Sequence, residues 1–202
     1  TIIKSLKFDD KIYKPGVVSS RISMAKNNLI TPAAYMHNYD IRKTDMNMRM
    51  PAISDIYREY VKRCYLSGAM DFDDLLLKTF LLFRDHPEIL EKYRQRFSYV
   101  LVDEYQDTNY AQYIIIKNLV AEHRNICVVG DDAQSIYSFR GARIENILSF
   151  QNDYPDLQIF KLEQNYRSTK MIVNAANSII ALNKRQISKT VFSNEETGKS
   201  IK

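Results

Sequence analysis

A chain of 202 residues, 45% hydrophobic and 26% charged, can form one or two domains with a buried core, and its sparse Gly and Pro exclude a fibrous or low-complexity chain. No apolar run nears the roughly 18 residues a membrane-spanning helix needs. The net charge of +5 lies entirely in residues 1–50, which hold nine Lys/Arg against four Asp/Glu, so a basic lobe precedes a neutral body. Such a lobe suits contact with a phosphate backbone, or it is a solvated face. Thr1-Ile2-Ile3-Lys4 shows neither a signal-peptide pattern nor an initiator Met, as expected of an excised or processed segment. Cys64 and Cys127 stand in unrelated contexts and fit a reducing, cytoplasmic setting better than a disulfide framework.

In chain order, the first hundred residues read as mostly helical. Thr31-Pro32 and Met50-Pro51 place Pro where the first turn of a helix tolerates it. After Pro51, apolar residues recur at Ile53, Ile56, Tyr57, Tyr60, Val61 and Cys64, which is helical spacing. Asp71 is a candidate cap for the next helix, with Asp73 and Asp74 in its first turn and an apolar body through Leu75-Leu76-Leu77 to Leu81-Leu82-Phe83. A further helix is expected from Pro87 to about Arg96. The period then changes. Tyr99–Val102 and Ile126–Val129 are short apolar runs ending in acid, consistent with strands buried on both faces. A helix over about Tyr110–Glu122 separates them. A helix near Ile144–Phe150, a strand near Leu157–Leu162 and a last helix over Thr169–Leu182 continue the alternation. Strand and helix alternating at this spacing predict an α/β fold with a parallel sheet, whose functional groups belong at the carboxyl ends of the strands.

The acids stand at those ends. Val100-Leu101-Val102-Asp103-Glu104 delivers two carboxylates from a strand, the Walker B pattern of nucleoside triphosphatases. There the Asp can hold Mg²⁺ and the Glu can orient and deprotonate water. Four apolar residues before two acids are also what any strand ending at a polar turn looks like. The longer motifs are more specific: Asp103-Glu104-Tyr105-Gln106-Asp107-Thr108-Asn109, then Val129-Gly130-Asp131-Asp132-Ala133-Gln134-Ser135-Ile136-Tyr137-Ser138-Phe139-Arg140-Gly141-Ala142, and Leu162-Glu163-Gln164-Asn165-Tyr166-Arg167-Ser168-Thr169. In this order and spacing they resemble motifs II, III and IV of the UvrD/Rep/PcrA group of superfamily 1 DNA helicases. Met70-Asp71-Phe72-Asp73-Asp74-Leu75-Leu76 resembles a segment upstream of motif II in that group. The resemblance covers essentially the whole chain, most tightly residues 70–170.

The resemblance implies an ATP-dependent helicase that couples Mg²⁺–ATP hydrolysis to movement along single-stranded DNA and unwinding at single-strand/duplex junctions, 3′ to 5′, with repair or replication proteins as partners. It places Asp103 on the metal, Glu104 on the attacking water, and Gln134 as the γ-phosphate sensor. Tyr166 stacks on adenine and Arg167 reaches the γ-phosphate. Tyr137 and Phe139 stack on DNA bases, with packing under a loop as the plainer alternative, and Arg140 contacts phosphate or links the two sites. In the basic lobe, Arg21 and Lys26 are the candidate DNA contacts. Phe139 stands where the family commonly has Trp, Ala133 where an Asp precedes the Gln, and Arg143 where an Asp is common.

No Gly-x-x-x-x-Gly-Lys-Ser/Thr occurs; before Gly198-Lys199-Ser200 the required glycine position holds Ser193. The expectation is therefore part of a RecA-like sheet without its phosphate loop, inactive by itself. Residues 1–68 would be a DNA-facing helical insertion, 69–158 the latter part of one RecA-like domain, and 159–202 the opening of a second. The rival reading is a non-catalytic nucleic-acid-binding module on a helicase-like scaffold.

Overall fold

In the computed structural model, which describes residues 2–201, helices fill most of the first hundred positions. They are α1 (Ile2–Ser5), α2 (Pro15–Asn27), α3 (Pro32–His37), α4 (Tyr39–Asn47), α5 (Ile53–Leu66), α6 (Phe72–Asp85) and α7 (Pro87–Arg96). Local chemistry explains the boundaries. Pro15, Pro32 and Pro87 open their helices, where a missing N–H is harmless. Thr31 accepts from the Ala34 N–H at 3.2 Å, and Asn38 from that of Ile41 at 3.0 Å. Asp71 and Asp74 form a reciprocal capping box at the head of α6. Pro51 departs from expectation: it sits in the turn ahead of α5, whose first residue is Ile53.

The main apolar core lies among these helices, where Val18, Ile22 and Ala25 of α2 meet Tyr35, Ile53, Ile56 and Tyr57. Tyr35 and Tyr57 cross edge to face with ring centroids 5.8 Å apart. The Tyr57 hydroxyl donates to the Ile30 carbonyl at 3.0 Å, so this buried phenol is satisfied.

The second half alternates as read: β1 (Val100–Val102), α8 (Tyr110–Val120), β2 (Ile126–Val128), α9 (Glu145–Leu148), α10 (Phe150–Asp153), β3 (Gln164–Asn165), α11 (Lys170–Ile180) and β4 (Phe192–Ser193). β1 and β2 run parallel, pairing Val100 with Ile126 and Val102 with Val128, and α8 makes the crossover that parallel pairing requires. α6 and α7 pack against α8. β3 and β4 form a second, separate parallel pair. The chain is thus mixed α/β with small parallel sheets.

Three expectations fail here. Residues 157–162 form no strand, because no neighbouring chain pairs with them; Phe160 and Leu162 are 80% and 87% exposed. The Ile144–Phe150 helix divides at Ser149 into α9 and α10. And β1 is not buried on both faces: Leu101 is 76% exposed and Cys127 beside it is also exposed, so the two-stranded sheet is covered on one side only.

Candidate functional site

The parallel register brings the carboxyl ends of β1 and β2 side by side, and with them Asp103-Glu104 and the Asp131–Gln134 turn. Glu104 has left-handed backbone angles, φ 50° and ψ 41°, a conformation sparsely populated by non-glycine residues and held only where surroundings enforce it. The group that holds its carboxylate is Gln106. It is 1% exposed, donates from Nε2 to Glu104 Oε2 at 2.8 Å, and accepts at Oε1 from the Asp131 N–H at 3.0 Å. One buried amide therefore ties the first acid pair to the second strand's turn, using both its donor and its acceptor. Gly130 permits this approach. A Cβ there would lie 2.6 Å from Gln106 Oε1 and 2.9 Å from Ile147 Cδ1.

Beyond the turn, Asp131 accepts from Gln134 Nε2 at 2.8 Å and from the Ala133 N–H at 3.0 Å. Lys189 Nζ adds ion pairs of 2.6 Å to Asp131 and 2.7 Å to Asp132. Burial alone would raise the Asp131 pKa. The hydrogen bonds from Lys189 and Gln134 outweigh it and hold the carboxyl below the usual range.

Asp103 uses Oδ1 to accept from the Glu104 N–H at 2.9 Å. It faces an open groove of about 350 Å³ bordered by Leu76, Glu104, Asp107 and Thr108. Among the described residues no cluster of three or more acidic, His or Cys side chains gathers to hold a metal. Asp103, with the Glu104 and Asp107 carboxylates on the same groove, offers the oxygen chemistry that suits a hard cation such as Mg²⁺, which keeps several waters and takes further oxygens from a phosphate ligand. A cleft of about 400 Å³ beside Tyr110, Tyr113 and Asp153 is lined by none of these acids.

Tyr137, Phe139 and Arg140 come together on the surface. The two rings lie 6.0 Å apart and the Arg140 guanidinium stands 5.4 Å from each, within cation–π range. Phe139 is 70% exposed, so packing beneath a loop does not describe it. Tyr166 is 75% exposed, with its hydroxyl donating to Gln164 Oε1 at 3.0 Å. Arg167 is exposed, and among the described residues its guanidinium makes no ion pair. Asn165 Oδ1 accepts from the backbone N–H groups of Arg167 and Ser168, at 2.9 and 2.8 Å, and so shapes the turn that presents both residues.

Residues 1–155 match the model of the UvrD/REP helicase N-terminal domain. The chain belongs to this family. It is also 43% identical over 200 residues to proteins named ATP-dependent DNA helicase PcrA from Staphylococcus aureus and Bacillus subtilis, and similarly to one from Staphylococcus epidermidis. Those alignments cover 99% of this chain but 26–27% of the relatives, so the chain spans about a quarter of their length.

Two positions assigned to DNA in this helicase domain are corrected by their surroundings. Lys26 is 0% exposed and its ammonium lies 2.7 Å from Asp71 and 2.8 Å from Asp74, with the Tyr60 ring 4.9 Å beneath it. Desolvated and doubly paired, it is an internal clamp and not a phosphate contact. Arg21 is also turned inward, 2.5 Å from Asp45, which is 2% exposed and accepts from the Tyr35 hydroxyl at 2.8 Å. The helical lobe's basic residues are thus partly structural.

The same helix reaches the segment that follows the acid pair. Asn27 donates to Asp73 at 3.1 Å and accepts from Asn109 Nδ2 at 2.8 Å, while Asn109 caps α8 just after the Asp103–Asp107 motif. Lys189, Gln106 and Asn27 were not singled out from sequence. Gln106 lies inside the Asp103–Asn109 motif, which is the local signal for it. Lys189 lies 58 residues from Asp131 and Asn27 82 from Asn109, distances that no local pattern bridges. Gly198, at φ 78°, packs on Thr169 while the carbonyls of Glu196 and Thr197 cap the first amides of α11, a helix-capping use and not a phosphate loop.

Proposed function

We propose that this chain is part of an ATP-dependent DNA helicase, in which the ends of β1 and β2 hydrolyse Mg²⁺–ATP and the Tyr137–Arg140 cluster grips single-stranded DNA. The observation that carries the reading is the Gln106 bridge. It joins a water-activating acid to the turn that holds a phosphate-sensing amide, and that turn runs directly into the exposed aromatic pair.

In this reading Glu104 accepts a proton from the attacking water, its carboxylate held by Gln106 and by the left-handed backbone. Asp103 holds Mg²⁺, which when bound offsets the negative charge of the phosphates. Gln134 exchanges its hydrogen bond to Asp131 for one to the γ-phosphate. Tyr166 offers its exposed ring to adenine, and Arg167 brings an unpaired cation to the charge that builds in the transition state. Tyr137 and Phe139 stack on bases of any sequence, as a translocating protein needs, with Arg140 at the backbone. We assign residues 1–68 to a helical insertion, 69–158 to a RecA-like domain and 159–202 to the start of a second. The parent acts 3′ to 5′ in repair or replication in the cytoplasm, and residues 1–202 alone, without a phosphate loop, turn over no ATP.

The test is ATP turnover, with and without single-stranded DNA, by the longest natural polypeptide containing these residues. Glu104→Gln should cut turnover by about 10²–10⁴ while ATP still binds, because the amide keeps the shape but cannot take the proton. Turnover at the unsubstituted rate in that variant would remove Glu104 from the mechanism. DNA binding with no ATP turnover in the unsubstituted protein would favour the non-catalytic module.

A further inference from the structure

The segment after α11 returns to the turn that carries Gln134. Lys189 inserts its ammonium between Asp131 and Asp132, at 2.6 and 2.7 Å. The Ile187 N–H donates to the second oxygen of Asp132 at 3.0 Å. Asp132 is almost wholly buried, with 2% of its side chain exposed, and that of Lys189 is 20% exposed. Two carboxylates this close repel unless a cation sits between them. Asp131 is also the group that holds Gln134.

From Lys189 the chain runs directly into the second sheet. The Thr190 N–H donates to Glu163 Oε1 at 2.8 Å. β4 then pairs with β3, placing Ser193 against Asn165, the residue that shapes the Tyr166–Arg167 turn. The Ser193 hydroxyl donates to the Ser168 carbonyl at 2.7 Å. A short, continuous set of contacts therefore runs from Gln134 through Asp131 and Lys189 to the backbone beside Arg167.

We infer that Lys189 is a positioning residue that locks the Asp131–Gln134 turn to the segment bearing Tyr166 and Arg167, so that the sensing amide and the arginine are set relative to each other. As regards turnover, the inference rests on the helicase reading above; the bridge itself does not. A part-buried cation shared by two acids is suited to registering two segments, because moving it away would leave the carboxylates, one of them 2% exposed, without a counter-charge. Burial would lower the Lys189 pKa, but the hydrogen bonds to Asp131 and Asp132 raise it, so the ammonium stays charged across the physiological range.

The experiment compares Lys189→Met and Lys189→Arg in the longest natural polypeptide that contains the chain. Amide hydrogen exchange at residues 131–137 and 164–168 reads the bridge without reference to activity. It should rise in Lys189→Met while α2 and α5 keep their protection. DNA-stimulated kcat should fall roughly 10–100-fold, the scale of a misplaced reacting group. KM for ATP should stay within about twofold, since binding is left in place. Lys189→Arg should recover most of both effects. Unchanged exchange at 131–137 in folded Lys189→Met would overturn the bridge, and unchanged kcat would overturn its positioning role. Should Lys189→Met fail to fold, Lys189→Met/Asp132→Asn, which removes a charge from each side, takes the same measurements. An unsubstituted protein without ATP turnover would defeat the helicase reading, and exchange alone would then decide the bridge.

Discussion

Replacing Lys26 by Met separates an internal clamp from a DNA contact. The substitution keeps most of the aliphatic volume and deletes the charge, leaving Asp71 and Asp74 without their shared cation. Removing one partner of a buried pair destabilises by about 3–5 kcal/mol because the remaining charge stays desolvated. Asp74 is 5% exposed but Asp71 is 30% exposed. Asp71 therefore rehydrates in part and also keeps the Tyr60 hydroxyl at 2.7 Å, which argues for the lower end, about 3 kcal/mol. For a domain of this size that is a fall in melting temperature of roughly 6–12 °C. The assay is thermal unfolding followed by circular dichroism, run beside single-strand affinity over a range of salt. Affinity per folded molecule should be unchanged, and so should its salt dependence. A Lys26→Met protein that melts within a degree of the original yet loses about one phosphate contact from its salt slope would refute the clamp. It would return Lys26 to the DNA.

Phe139→Ala should leave stability within about 0.5 kcal/mol, as for an exposed side chain, yet weaken single-strand binding by about 1–3 kcal/mol with no change in salt slope; a large drop in melting temperature would count against the exposed platform. Gly130→Ala should destabilise by about 1–3 kcal/mol through overpacking against Gln106 and Ile147, and a variant of unchanged stability would show that the Gln106 bridge yields easily. Asp71 and Asp131 both titrate below the usual carboxylate range: burial opposes this, and the bonds to Lys26 and Lys189 respectively prevail. Their stabilisation is full above about pH 4 and is lost as pH falls through the depressed folded values. The melting temperature should therefore drop steeply in that acid window, and a flat profile down to about pH 2 would contradict both pairings.

Element identity was largely legible in the sequence because it is set locally. Asp71 is legible as a cap with acids in the following turn, Pro87 opens α7, and short apolar runs ending in acid became β1 and β2. Where expectation failed, the missing information was non-local. Residues 157–162 carry the apolar content of a strand, but a strand exists only where another chain segment satisfies its hydrogen bonds. Leu101 looked like interior because an apolar run does not reveal whether a sheet is covered on one face or two.

The candidate site divides along the same line. Sequence by itself determined which groups are present: the acid pair, the Gln134 amide, the aromatics and the arginine stand in recognisable order, and the family follows from them. Only the tertiary structure decided what those groups face. Lys26 and Arg21 read as surface cations from charge counts, yet carboxylates 45 and 24 residues away turn them inward. Gln106 and Lys189 gained their roles from partners 25 and 58 residues distant. A side chain's charge is written in the chain, but its solvation and its partner are set by how segments far apart in sequence pack together. For buried ion pairs, those two factors decide whether a cation grips a ligand or holds the protein to itself.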